Sequence, residues 1–226
     1  MYLAIDTATD MASLALVKDS EILAELTWRC ERNHSVELLP RLAYLLSQTG
    51  VNLTSTSGII VARGPGSFNG LRVGISVAKG LAFSLEIPVV GISSLEAAAY
   101  QHAATGLPVC PVFNAGRGEI ATAMYQKQRN KWRQIFSEHI TTVEALCSQI
   151  TKKTIFCGDF IPVIVTQLKE RLEQNVVVLT PAARLRRASF LAELGLKQFV
   201  AGSNDTPDTL RPVYLRPPHI TKPKHC

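Results

Sequence analysis

Several kinds of site are missing from this sequence, and each absence narrows what the chain does. No apolar run approaches the ~20 residues of a membrane helix, so no membrane partner is expected. The five cysteines are odd in number and dispersed, with no CxxC, so neither a disulfide framework nor a paired-thiol metal site is expected. The five histidines and five cysteines are read as offering no pair at metal-ligand spacing, which gives no metal site to propose. The opening MYLAIDTATD reaches an acid at Asp6, unlike a signal peptide. With the cysteine pattern, this gives a cytoplasmic expectation. The nucleophile-elbow pattern G-x-S-x-G is missing, and no serine or cysteine stands out as a nucleophile.

Aromatic residues make up only 7% of the chain. Charge is uneven: 7 Lys and Arg face 9 Asp and Glu through Thr105, and 17 face 9 after it. With few aromatics to stack on bases, the basic surplus reads first as solvated surface. An acidic or nucleic-acid partner is the alternative.

The chain is organised around Gly58–Glu86. Gly58–Ala62 predicts a buried strand, and Gly64–Gly70 is glycine-rich turn chemistry. That turn matches neither phosphate-binding template: no G-K-[ST] follows Gly70, and Asn69 stands where G-x-G-x-x-G needs its last glycine. A close strand-to-helix turn is the better reading. Leu71–Glu86 predicts a helix that is apolar nearly all round, with Arg72, Ser76 and Lys79 as its one polar stripe. Such a helix needs cover on two sides. His34–Gly50 predicts a second over-apolar helix, with Leu39, Leu42, Ala43 and Leu46 at helical spacing and Val36, Leu38 and Leu45 widening the face. Pro40 calls for a start close before it or a kink. Gly74, Ala78 and Ala82 form a small-residue seam on which a neighbouring helix is expected.

Tyr2–Asp6, Ala12–Lys18 and Glu21–Trp28 predict a three-strand meander, followed by helix, strand, helix, the strand Pro88–Ile92 and a helix to about Ala104. The same order recurs: strands at Val109–Phe113, Ile120–Gln126 and Lys131–Phe136, then a helix near Val143–Ile150, a strand at Thr154–Cys157, a helix at Pro162–Glu173, a strand at Asn175–Leu179 and a helix at Pro181–Val200. This predicts an α/β protein of two duplicated lobes, 1–105 and 106–226, the second ending in a Pro-rich basic tail over Thr206–Cys226. Asp6 with Thr7, at the first strand's end, and Asp159 after Gly158 are weak candidates for contacting a nucleotide. Asp6 reads first as a turn cap.

Leu3-Ala4-Ile5-Asp6-Thr7-Ala8-Thr9, His34-Ser35, Leu38-Leu39-Pro40, Arg63 through Gly74, Ala78–Ala82, Pro88, Gly91–Leu95 and Pro212–Arg216 together resemble the TsaB family. This is a bacterial subunit of the machinery that makes threonylcarbamoyladenosine in tRNA. The family usually has Thr where Asn69 stands, and an Asp-Ala-Arg-Arg-like run where Asn114-Ala115-Gly116-Arg117 stands. The resemblance implies the two-lobed actin, hexokinase and Hsp70 (ASKHA) fold. In the catalytic relative TsaD a His-x-x-x-His metal motif aligns with Ser94 and Ala98, and alanine offers no metal donor. It therefore implies a paralogue without catalytic residues that binds and activates a TsaD-like subunit. A TsaE-like ATPase would join through the complex, tRNA would bind indirectly, and ATP and Mg²⁺ would enter only in the complex. The same helices would make a homodimer when the chain is alone. The implied contact residues are His34, Leu38, Leu39, Leu42 and Leu46 on one helix, with Arg72, Ile75, Ser76, Lys79 and Phe83 on the other. Two other readings stand beside it: an ATP-dependent phosphotransferase using Asp6 and Asp159, and a direct tRNA-binding module in the basic half.

Overall fold

Two five-stranded mixed sheets carry the chain, and both are built in the same order. The computed structural model describes residues 1–31 and 33–216. The first lobe runs β1 (Tyr2–Asp6), β2 (Met11–Lys18), β3 (Glu21–Arg29), α1 (His34–Thr49), β4 (Gly58–Gly64), α2 (Phe68–Leu85), β5 (Val89–Ser93) and α3 (Ser94–Tyr100). The second runs β6 (Val109–Gly116), β7 (Glu119–Gln128), β8 (Lys131–Thr141), α4 (Val143–Gln149), β9 (Thr154–Cys157), α5 (Ile161–Leu172), β10 (Val176–Val178), α6 (Pro181–Arg184) and α7 (Ala188–Val200). The sheet orders are β3-β2-β1-β4-β5 and β8-β7-β6-β9-β10. In each, the first three strands are antiparallel neighbours and the last two are parallel to the first. The duplicated strand grammar is therefore real at the level of register, although no residue repeat accompanies it.

The central strands are covered on both faces and read as continuous apolar runs: Leu3–Ile5 and Ile59–Ala62 have no exposed surface. Each Leu, Ile and Val among them contributes about 1.5–3 kcal/mol by burial. Leu38, Leu42 and Leu45 of α1, and Leu71, Ile75, Ala78 and Ala82 of α2, cover one face of the first sheet. Helix α7 covers the other, through Ala188, Leu191, Ala192 and Leu194. In the second sheet, α4 and α5 cover one face, and α3 covers the other with Leu95, Ala98 and Ala99. Each lobe's last helix thus seals the sheet of the other lobe.

This exchange corrects two expectations. The second lobe does not run from 106 to 226, because α7 and Leu210 belong to the first core. The helix expected over Pro181–Val200 is two helices, interrupted at 185–187, where Arg187 takes an extended backbone and Arg186 turns inward. The chain after α7 also docks on the first lobe. Asp205 pairs with Val89, the Gly91 amide donates to the Asp205 carboxylate at 2.9 Å, and the Val213 amide donates to the Arg63 carbonyl at 2.7 Å. Pro217, Pro218, Pro223 and Cys226 of the expected tail lie outside the described residues. Helix α1 continues through Pro40, because the single lost hydrogen bond falls on the exposed side of the helix.

Candidate functional site

Parallel strands that split to either side of a central strand leave a crevice at their carboxyl ends. In both lobes that end faces the same interlobe cleft. Its lining includes Thr9, Asp10 and His34 from the first lobe, Ser67 and Asn69 from the glycine turn, and Asn114 and Asp159 from the second lobe. The cavity measures about 440 Å³.

Asp6 ends β1 and lies 1% exposed. Its Oδ1 accepts from the Ala8 amide at 3.0 Å, which is the turn-capping role expected of it. Its Oδ2 lies 3.0 Å from Arg186 Nε, as a charge contact rather than an aligned hydrogen bond. Burial pushes the Asp6 carboxyl above its usual range, and the Arg186 guanidinium opposes that shift. Arg186 Nη2 also donates to Thr9 Oγ1 at 3.1 Å and to the Met11 carbonyl at 3.0 Å. The guanidinium sits over the Phe113 ring of the second lobe, 5.2 Å from its centroid. Thr9 in turn donates to the Asp159 carboxylate. One buried arginine therefore links both strand-end carboxylates, directly to Asp6 and through Thr9 to Asp159.

A divalent cation held between Asp6 and Asp159 does not fit this arrangement. Arg186 already supplies the positive charge beside Asp6, and Asp159 is engaged by Thr9. The backbone of the glycine turn is occupied as well. The Ser67 amide donates to the Ala8 carbonyl at 2.7 Å, and the Gly70 amide donates to Ser67 Oγ at 3.3 Å. A Cβ on Gly66 would stand 2.2 Å from the Ala8 carbonyl oxygen, and one on Gly70 would stand 2.2 Å from that of Thr7. The glycines admit the β1–β2 turn, so the expected close strand-to-helix approach is what they provide. Thr7 is fully buried and donates to the Gly70 carbonyl at 2.7 Å, so it faces the chain itself.

Ser94 is buried, and its hydroxyl accepts from the Gly64 amide at 3.1 Å; Ala98 is buried in the core beneath α3. Cys30 stands at a ligand spacing four residues before His34. The His34 ring, however, hydrogen-bonds the Thr9 carbonyl at 2.9 Å, and among the described residues no three metal-ligating side chains cluster.

The helix residues expected at a partner surface divide into two sets. His34, Leu38, Leu42 and Ile75 are buried within this chain, at 1–4% exposure, and cannot themselves touch a partner without unfolding. Gly74, Ala78 and Ala82 also face inward; a Cβ on Gly74 would lie 2.2 Å from Thr7 Oγ1. Gly74 of the small-residue seam fits the chain's own β1–β2 turn. Leu39, Arg72, Ser76 and Phe83 are exposed, and Leu46 and Lys79 are half-buried. Val36, at 68% exposure, and Tyr44, at 55%, are also exposed on α1. Arg186 carried no sequence signature, because it stands in a stretch whose pattern suits continuous helix.

Two lobes of identical strand order, flanking a cleft at their strand ends, define a protein of the actin and hexokinase-like class. A hexokinase from Thermus thermophilus shares this fold, with a TM-score of 0.52 at 12% identity over 87% of this chain and 99% of that one. The family model described as "TsaD: tRNA N6-adenosine threonylcarbamoyltransferase" matches residues 25–218. The tRNA threonylcarbamoyladenosine biosynthesis protein TsaB of Bacillus subtilis is 31% identical over 92% of this chain and 93% of its own length. A Pseudomonas aeruginosa structure, described as similar to peptidase YeaZ, superposes with a TM-score of 0.81 at 29% identity, covering 95% of this chain and 99% of that one. The chain belongs to the TsaB family. Among its described residues, no helix is long and apolar enough to cross a membrane.

Proposed function

We propose that this chain is a non-catalytic subunit of a tRNA threonylcarbamoyladenosine-forming complex, and that it binds and activates a TsaD-like catalytic subunit. The observation that carries the reading is the outer face of α1 and α2. Val36, Leu39 and Tyr44 of α1 and Phe83 of α2 stand exposed at 51–78%, on two helices that contact each other. Polar residues Arg72 and Ser76 border that surface. Two such helices per partner supply the ~1,600 Å² of a standard interface. Arg186 at the cleft supports the non-catalytic half of the reading, since it stands where a metal–phosphate centre would need its charge. The chain needs no cofactor of its own in this role, and ATP and Mg²⁺ enter with a TsaE-like ATPase and the catalytic subunit. Without that partner the same face pairs two copies of the chain. An acidic substitution at Leu39, outside the core, tests the interface. Pull-down of the TsaD-like subunit together with a reconstituted modification assay reads the outcome.

A further inference from the structure

Among the described residues, the β7–β8 hairpin is a strongly basic exposed element. From Gln126 to Ser137 the sequence holds Lys127, Arg129, Lys131 and Arg133 and no acid. All four are exposed, and none forms an ion pair within the described residues. The amides of Gln126, Gln128 and Gln134 are engaged within the chain, on the Gly106 carbonyl, the Gln126 side chain and the Tyr125 hydroxyl, and brace the ribbon. The low aromatic content suggested solvated surface, yet Trp132 stands between Lys131 and Arg133. It stacks on Tyr125 at 5.6 Å with an interplanar angle of 5°, and meets Tyr100 edge-on at 5.5 Å. The turn is tight, with Arg129 and Asn130 both at positive φ. The ribbon is thus pinned to the second core, and its cations are held out on a rigid arm.

Register places two more cations at the same end of the sheet. Tyr125 pairs with Val109, and Val109 pairs with Ile155, so Lys152 and Lys153, just before β9, lie at the hairpin's end of the lobe. Both are exposed. Repeated unpaired cations, held on a braced ribbon, match the repeating phosphates of a nucleic-acid backbone. A preformed arm also lowers the ordering cost of binding.

We infer that the β7–β8 hairpin is an RNA-backbone contact that holds the tRNA substrate against the assembled complex. This rests on the proposed place of the chain in a tRNA-modifying complex. The contact is sequence-independent and electrostatic, and it lies apart from the α1/α2 face. The test uses the chain in complex with its catalytic subunit and an unmodified tRNA transcript, measured across a salt series. The variant is Lys127→Gln/Arg129→Gln/Lys131→Gln/Arg133→Gln, with Trp132 kept. Co-elution with the partner and the circular dichroism spectrum should match wild type. The tRNA Kd at 150 mM salt should weaken about tenfold or more, and the log K against log[salt] slope should shrink by about 3. Unchanged affinity and slope in an intact complex would overturn the inference, leaving the hairpin a solvated basic surface. Retained tRNA binding, with affinity lost only for anionic phospholipid vesicles, would overturn it in favour of a lipid surface. Loss of the partner by a Leu39→Asp chain bears on the proposed function instead, so the two failures separate.

Discussion

The guanidinium of Arg186 stands 3.0 Å from the carboxylate of Asp6, and the two side chains are only 2% and 1% exposed. The contact joins the end of β1 to the bend between α6 and α7, 180 residues later in the chain. Through Thr9 the same arginine reaches Asp159 of the second lobe. Arg186→Met strands a buried carboxylate and should cost about 3–5 kcal/mol in urea unfolding. Adding Asp6→Asn removes the stranded charge, so the double variant should recover much of the loss. Equal losses in the single and double variants would mean that the pair is uncoupled.

The same contact predicts what the cleft refuses. Isothermal titration of ATP with Mg²⁺ into the isolated chain should give no stoichiometric binding and no turnover, because the charge between the strand-end carboxylates is already supplied. Tight one-to-one binding with ATP hydrolysis would establish the phosphotransferase reading in its place.

Gly74 reports on the turn that the glycine stretch receives. Its missing Cβ leaves room for Thr7 Oγ1, which a methyl would meet at 2.2 Å. Gly74→Ala should destabilise the chain by about 1–3 kcal/mol, since overpacking outweighs the gain in helix propensity. Thr7→Ala in the Gly74→Ala background should relieve part of that loss. A stabilised Gly74→Ala chain in chemical denaturation would contradict the packing described.

Acid sensitivity should appear at His102, whose pKa burial holds below its ordinary value of 6.5. The unfolded chain therefore binds this proton more readily than the folded one, and stability falls as pH drops below the unfolded value. Unfolding free energy measured from pH 7.5 to 5.5 should decline. His102→Gln should flatten that part of the decline. An identical pH profile in the variant would remove His102 as a cause.

Much of the architecture was legible because it is local. The meander, the buried strand Gly58–Ala62 and the two over-apolar helices follow from period and turn chemistry. Strand Thr154–Cys157 matches its expected bounds, whereas β8 extends to Thr141, past the Phe136 at which it was expected to end, because its half-buried residues 138–141 carry no alternating pattern. What stayed hidden depends on pairing distant in sequence. The helical pattern of 181–200 gave no hint that Arg186 would leave it for the cleft, or that α7 would seal the first sheet. Periodicity likewise could not say which face of α2 looks inward. Ile75 and Gly74 turned out to serve the chain's own core, while Phe83 stands 78% exposed. The family was readable from the residues around Gly64–Gly74; the arginine buried behind its cleft was not.

The central claim, that the outer α1/α2 face binds a TsaD-like subunit, is tested most directly with Leu39→Asp and Phe83→Asp. These residues are 51% and 78% exposed, so both variants should fold, whereas Ile75→Asp would place a charge in the core. Purified variants with wild-type melting behaviour are mixed with the catalytic subunit, run on gel filtration, and assayed for threonylcarbamoyladenosine formation on tRNA. Co-elution should be lost, and the modification yield should be no higher than without this chain. Folded variants that still co-elute and still support full modification would contradict it.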